Sequence, residues 1–242
     1  MAALNSADVK VWAVVPAAGT GARMGSDRPK QYLSLGGEPI LTRSMARLAA
    51  DERVRGIVVV ISAGDEHWPR LTLPSLRCAL WVALGGLERC HSVRNGLHKL
   101  LEQGARPSDW VLVHDAARPC LPAADLKRLI DTVWNDEVGG LLAVPVADTL
   151  KLGDEAQRVA QTVSRQNMWR AQTPQMFRLG MLVDALSKAL DSDTVVTDEA
   201  QAMELLGFNP RLVPGSEDNL KVTHPADLQI AADVLRRQEG ET

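Results

Sequence analysis

Short, uninterrupted apolar runs alternate along this chain with stretches whose apolar residues recur three and four positions apart. Residues 11–15 (VWAVV) and 56–61 (GIVVVI) are rich in β-branched side chains. They are too short for helices and suit parallel strands covered on both faces. Residues 80–84 and 110–113 repeat that pattern, while residues 40–50, 92–103 and 123–135 between and after them carry helical spacing. Strands alternating with helices predict an α/β fold, Rossmann-like, with three α/β/α layers around a mostly parallel, twisted sheet. Residues 140–146 (GLLAVPV) read as a further strand, but Pro145 has no amide to give a central ladder, so the sheet is expected to be mixed near that point. Helices over 180–190, 198–206 and 225–237, with a strand at 211–214, complete the pattern.

Between residues 147 and 174 the chain turns polar and alternating. The segments TLKL and RVAQTVS flank Gly153-Asp154-Glu155, a plausible hairpin turn. A two-stranded hairpin alone is marginal in water, so this β-arm must pack either on a second subunit or back on its own sheet. No repeat, low-complexity segment or Gly/Ser/Pro linker divides the sequence. The expected organisation is one domain over residues 1–242, with 147–174 as an arm suited to forming a homodimer.

Composition narrows the classes. Hydrophobic residues at 45% and charged residues at 24% are those of an ordinary folded chain and argue against disorder. A formal net charge of -3 supplies no field to draw in a polyanion, so nucleic acid is not an expected partner. No apolar run approaches the ~20 residues needed to cross a bilayer, and the first residues lack a signal-peptide core, so no membrane association is expected. Cys78, Cys90 and Cys120 are odd in number and widely spaced, which fits neither a disulfide framework nor a zinc motif. They read as structural residues of a cytoplasmic protein.

The candidate chemistry begins where the first strand ends. Pro16, Ala17, Ala18, Gly19, Thr20 and Gly21 are small or turn-forming, as a backbone must be to come close to a triphosphate. Arg23 and, seven residues on, Lys30 can offset the charge that grows on a pentavalent phosphorus. The loop matches neither a Walker A sequence nor a GxGxxG fingerprint, and glycines alone would fit an ordinary strand-to-helix turn. Further along, His114-Asp115 closes an apolar strand, the place where open α/β sheets bind ligands. Asp115 can hold Mg²⁺ there, and Arg118 can meet a phosphate with its planar fork. Ser92, at the expected start of a helix, can serve simply as its cap.

Five segments carry a resemblance. PAAGTGARMGSDRPKQYLSLGGEPIL resembles the opening of the sugar-nucleotide pyrophosphorylase-like nucleotidyltransferases. Together with GGLERCHSV (85–93), HDAARP (114–119), TDEA (197–200) and DNLKVT (218–223), it is similar to the 2-C-methyl-D-erythritol 4-phosphate cytidylyltransferases over about residues 12–235. The resemblance implies that the Gly-rich loop, Gly85, Gly86 and Ser92 surround the cytidine of CTP. It implies acceptor contacts for Asp115, Arg118, Thr149 and Thr197, and phosphate-positioning roles for Arg165 and Lys221, with Arg165 reaching across a dimer from the partner's arm. Mg²⁺ is the implied cofactor. The acceptor's phosphate would attack the α-phosphorus of CTP, with no nucleophilic side chain needed, because a monoester is already ionised near neutral pH. Two rivals remain at this stage: a ribitol 5-phosphate cytidylyltransferase, separated by a competition assay, and a catalytically silent nucleotide-binding module, for which the cations Arg23, Lys30, Arg118, Arg165 and Lys221 are hard to explain.

Overall fold

Alternation along the central strands decides which helices cover which face. The computed structural model describes residues 9–19, 21, 28–192 and 194–240. In β1 (Val11–Pro16) and β4 (Val54–Ile61), Val11, Ala13, Val15, Ile57 and Val59 point to one side of the sheet. They meet Leu41, Met45 and Leu48 of α1 (Ile40–Ala49) and Leu126, Leu129 and Ile130 of α3 (Ala123–Val133). Trp12, Val14, Val58 and Val60 point to the other side. There they pack on Val93, Leu97 and Leu100 of α2 (Arg89–Glu102) and Leu182 and Leu186 of α4 (Leu179–Asp191). Each large aliphatic side chain buried in this way stabilises the fold by roughly 2 kcal/mol. Both faces are covered, which explains why β1 and β4 read as continuous apolar runs rather than alternating ones.

Among the described residues, seven strands form the central sheet in the order β11-β7-β10-β6-β1-β4-β5. The remaining members are β5 (Ala79–Leu84), β6 (Trp110–Val113), β7 (Gly139–Pro145), β10 (Trp169–Arg178) and β11 (Arg211–Pro214). Pairing is parallel except on the two sides of β10, which runs antiparallel to both β6 and β7. The three-layer, mostly parallel and locally mixed α/β architecture is therefore the one the sequence pattern predicts. Two short strands, β2 (Ser34–Leu35) and β3 (Glu38–Pro39), pair before α1. Helices α5 (Glu199–Leu205) and α6 (Pro225–Glu239) complete the layers. No helix among the described residues is long and apolar enough to cross a membrane.

The arm is a two-stranded sheet of β8 (Leu150–Gly153) and β9 (Val159–Val163), paired from Leu150↔Val163 to Gly153↔Val159. Its expected end at residue 174 needs correction, because Trp169 to Pro174 already belong to β10 and Trp169 pairs with Pro145 of β7. The strand was hidden by its polar interior: Gln172, Thr173 and Gln175 are all buried. Each is satisfied there. Gln175 Nε2 donates to Asp198 Oδ2 at 3.0 Å, its Oε1 accepts from the Ala200 amide at 2.7 Å, and Gln172 Nε2 donates to the Ser216 carbonyl at 2.9 Å. A bulge between Ala171 and Gln175 turns Thr173 out of register.

A second correction concerns Ser92. Helix α2 begins at Arg89 with Glu88 as its extended N-cap residue, so Ser92 lies inside the first turn and does not cap it.

Candidate active site

The carboxyl ends of β1, β5 and β6 open on one pocket of about 410 Å³. Pro16, Ala17, Ala18, Gly19 and Gly21 form one wall, Gly86 to Arg89 and Ser92 a second, and Asp115 to Ala117 the floor. Lys30 and Gln31 close the top, and Lys221 and Thr223 come in from the loop before α6. The Gly-rich wall is pinned from behind, since Gln31 Nε2 donates to the carbonyls of Ala17 at 2.6 Å and Gly19 at 3.0 Å. That side chain occupies the loop's acceptors on the far side. Gly21 has a φ of +70°, and a Cβ there would meet the Lys30 amide nitrogen at 3.0 Å, so only glycine brings the loop against Lys30.

Close approach governs the second wall as well. A Cβ on Gly85 would lie 2.5 Å from the Ala18 Cβ, and one on Gly86 would lie 2.4 Å from the His91 Cβ. The Gly86 amide donates to Ser92 Oγ at 3.2 Å, and Ser92 Oγ donates to the Glu88 carbonyl at 3.2 Å. The serine thus fixes the turn that faces the pocket.

Asp115 is the centre of the charge network. Its Oδ1 lies 3.3 Å from Arg89 Nη2, while its Oδ2 lies 3.4 Å from Arg118 Nε and 2.9 Å from Lys221 Nζ. Burial opposes ionisation of this carboxyl, but the charges of Arg89, Lys221 and Arg118 outweigh it and hold the group well below the ordinary carboxylate range. Arg89 is itself gripped by Glu199, with Nη1 to Oε1 at 2.6 Å and Nη2 to Oε2 at 3.2 Å, a bidentate pair. Glu199 is buried, and burial pushes its carboxyl up against the pull of Arg89.

His114 supports the floor without facing the pocket. It is buried, with Nε2 3.0 Å from the Arg118 carbonyl and Nδ1 3.1 Å from Thr173 Oγ1. Thr173 Oγ1 accepts from the Asp115 amide at 3.0 Å, so its own proton goes to Nδ1 and the imidazole carries its hydrogen on Nε2. Burial lowers the His114 pKa to about 4, leaving the ring neutral at neutral pH. The loop carrying Lys221 is tied down by Val222, whose side chain packs with Leu35, Ile40 and Val234 and whose amide donates to the Ala117 carbonyl at 2.8 Å. Its carbonyl accepts from Lys30 Nζ at 2.9 Å.

The structure brings together most of the predicted site. Pro16, Ala17, Ala18, Gly19, Gly21, Lys30, Gly86, Ser92, Asp115 and Lys221 all line the pocket, with Gly85 directly behind it. Thr20 and Arg23 lie outside the described residues. Arg118 stands behind Asp115, with Nη1 donating to the Asn219 carbonyl at 2.6 Å, so its fork is engaged by the protein and does not line the pocket. Thr149, Arg165 and Thr197 are exposed and contribute nothing to the pocket wall of their own chain. Arg89, Glu199, Gln31 and Thr173 are the residues that sequence reasoning passed over. Arg89 and Glu199 sit inside quoted motifs, but nothing in sequence marks a pairing across 110 positions.

A cation-lined pocket at the carboxyl ends of parallel strands, walled by a Gly-rich loop, defines the chain as an α/β nucleotidyltransferase. Its family is equally definite. The family model described as "IspD: 2-C-methyl-D-erythritol 4-phosphate cytidylyltransferase" matches residues 11–237, and the chain belongs to that family. A relative of that name from Laribacter hongkongensis is 56% identical over 224 residues, covering 92% of this chain and 95% of its own. One from Pseudomonas putida KT2440 is 54% identical over 222 residues, covering 90% of this chain and 92% of its own. Among solved structures, the Francisella tularensis enzyme of the same name superposes with a TM-score of 0.81 at 34% identity, covering 93% of this chain and 99% of that one.

Proposed function

We propose that the pocket around Asp115 is where CTP meets 2-C-methyl-D-erythritol 4-phosphate, and that the residues named above divide the work of joining them. The chain is a cytidylyltransferase: it transfers CMP from CTP to that acceptor, giving 4-diphosphocytidyl-2-C-methyl-D-erythritol and pyrophosphate for isoprenoid precursor synthesis. The observation that carries the reading is the buried Asp115 carboxylate held by Arg89, Arg118 and Lys221 across the pocket from the Gly-rich loop. A volume near 410 Å³ is of the size that ligand pockets take.

In this reading the loop from Pro16 to Gly21, with Gly85, Gly86 and Ser92, receives the nucleotide, and its amides meet phosphate oxygens. An oxygen of the acceptor's phosphate attacks the α-phosphorus in line, the α–β bridging bond breaks, and its electron pair leaves with pyrophosphate. No proton has to be removed. The difficulty is bringing two anions together, which Lys221, Lys30 and the expected Arg23 offset. Lys30 serves the growing charge on phosphorus, and Lys221 the acceptor. Arg118, turned to Asp115 and Asn219, serves by holding the floor in place.

The donor set also suits a hard cation. Asp115 and Glu88 are the carboxylates lining the pocket among the described residues, and magnesium is characteristically bound by one or two carboxylates plus substrate phosphates. Bound there, Mg²⁺ would neutralise triphosphate charge. The arm supplies the remaining roles across a homodimer: Thr149 and Arg165 are exposed beside the base of β8 and β9, away from their own pocket. Exposed Leu152 and Val159 give the hairpin an apolar surface for a second copy to cover.

An acceptor screen tests the assignment. Purified chain with CTP and Mg²⁺ should release pyrophosphate with 2-C-methyl-D-erythritol 4-phosphate and far more slowly with ribitol 5-phosphate. Equal rates with both, or release independent of any acceptor, would overturn it.

A further inference from the structure

The amino end of α2 holds a second set of donors, two of which, Cys90 and His91, have no part in the transfer reaction. Glu88, Cys90 and His91 each place one possible ligand atom within 4.8 Å of the other two. Cys90 Sγ lies 3.9 Å from Glu88 Oε2 and 3.7 Å from His91 Nδ1. On a tetrahedral zinc ion, with bonds of about 2.3 Å to sulfur and about 2.0 Å to nitrogen or oxygen, neighbouring donors stand about 3.5 Å apart. Both sulfur edges are therefore within a few tenths of an ångström of a coordination tetrahedron. The third edge joins Glu88, which is exposed, to His91, which is half-buried, and is no longer than 4.8 Å.

Local structure explains the convergence. Glu88 is the extended N-cap residue of α2, with φ -125° and ψ 172°, so its side chain can lie over the turn that follows. Cys90 and His91 are the second and third residues of that helix. Thiolate and imidazole are borderline or soft ligands that favour zinc-class ions over magnesium, so this donor set is chemically unlike the oxygen-lined floor at Asp115. We propose that Glu88, Cys90 and His91 form a binding site for a soft divalent cation of the zinc class, and that filling it inhibits the enzyme by disturbing the nucleotide wall.

On binding, the Sγ–H bond breaks and its proton passes to solvent, a metal–sulfur bond forms, waters leave the ion, and no electron changes hands. One coordination position stays with water. The inhibitory half rests on the reading of the pocket given above. Glu88 lines that pocket, the His91 Cβ is packed against Gly86, and the Gly86 amide is held by Ser92 Oγ. Drawing Glu88 and His91 onto an ion therefore moves the strip from Gly86 to Ser92 against which the nucleotide rests. The binding half needs no statement about substrate.

Titration of the full chain with Co²⁺, in a phosphine reductant free of thiols, reads thiolate ligation directly. The expected result is one equivalent bound, with a near-ultraviolet sulfur-to-cobalt band that Zn²⁺ abolishes by displacement. Cys90→Ser should lose the band and Cys78→Ser should keep it, both with an unchanged far-ultraviolet spectrum. No band, or one that survives Cys90→Ser, overturns the site; Cys90→Ala serves if the serine variant does not fold. In assays at saturating Mg²⁺, micromolar Zn²⁺ should raise the KM for CTP, and Cys90→Ser should be at least about tenfold less sensitive with its basal rate intact. Equal inhibition of both proteins overturns the inhibitory half. Absence of any CTP-dependent transfer in the untreated enzyme would instead sink the reading of the pocket, while leaving the cobalt result standing.

Discussion

The wall around Asp115 and the arm of β8 and β9 are built on opposite terms. At the wall, the five charged side chains of Arg89, Asp115, Arg118, Glu199 and Lys221, from four separate stretches of chain, interlock at 2.6 to 3.4 Å, and buried His114 and Asn219 lie behind them. On the arm, nearly every side chain is exposed, and Leu152 and Val159 show 54% and 64% of their surfaces to solvent. The first region is held together by contacts within one chain. The second is a pair of strands with no core of its own, and a two-stranded ribbon of that kind is marginal in water. Residues at the wall should therefore report on chemistry and folding together, whereas residues on the arm should report on chemistry and association with little effect on folding.

The largest break in that comparison is expected at Lys30. Lys30→Ala should lower kcat by about 10³-fold, some 4 kcal/mol of transition-state stabilisation, while the affinity for CTP changes much less. Single-turnover kinetics with a separate CTP binding measurement distinguish the two, and a change in KM alone would remove Lys30 from the transition state. Next, Arg89→Ala should cost about 3 kcal/mol of folding stability in urea titration, since it leaves the buried Glu199 carboxylate without its bidentate partner. A loss below about 1 kcal/mol would mean that the pair is screened and the wall is not held as described.

Protonation sharpens the same contrast. An unfolded His114 takes up a proton near its ordinary 6.5, the buried ring only at about 4. Between those values the unfolded chain binds more protons, so stability falls as pH drops through that window, by up to about 3 kcal/mol. Denaturation of the wild type and His114→Gln across the window measures this, and equal slopes would place the titration elsewhere. On the arm, Arg165→Ala should lower activity yet leave stability within about 0.5 kcal/mol. Mixed with Lys30→Ala subunits it should regain activity, because one of the two sites in a mixed dimer then has both groups; no recovery would argue against a site shared between subunits. The smallest effect on folding is expected for Val159→Lys, which should weaken dimerisation in sedimentation experiments while shifting stability by no more than a few tenths of a kcal/mol.

How much of this was legible beforehand follows from what carries it. The central strands could be read because burial on both faces demands unbroken apolar runs such as GIVVVI. Lys221, in a loop, was marked only by the resemblance of DNLKVT, whereas the Gly-rich loop and Asp115 were legible because they follow apolar strands, where open α/β sheets bind ligands. β10 was not, because Gln172, Thr173 and Gln175 look like a loop until their partners at Ser216, His114 and Asp198 are in place. Arg89 was missed for a similar reason. Its role is set by Glu199, which only the packing of α5 beside α2 and α4 brings within reach.

The antiparallel strand of the central sheet links two regions of the chain. β10 starts at Trp169, next to the root of the arm, and runs for ten residues into the middle of the sheet, passing Thr173 on the way. That threonine is bonded to both the imidazole of His114 and the amide of Asp115. One strand, bent at the bulge between Ala171 and Gln175, therefore joins the root of the hairpin to the residue that seats the acidic group. The hairpin and the pocket floor are thus two ends of the same ten residues of backbone.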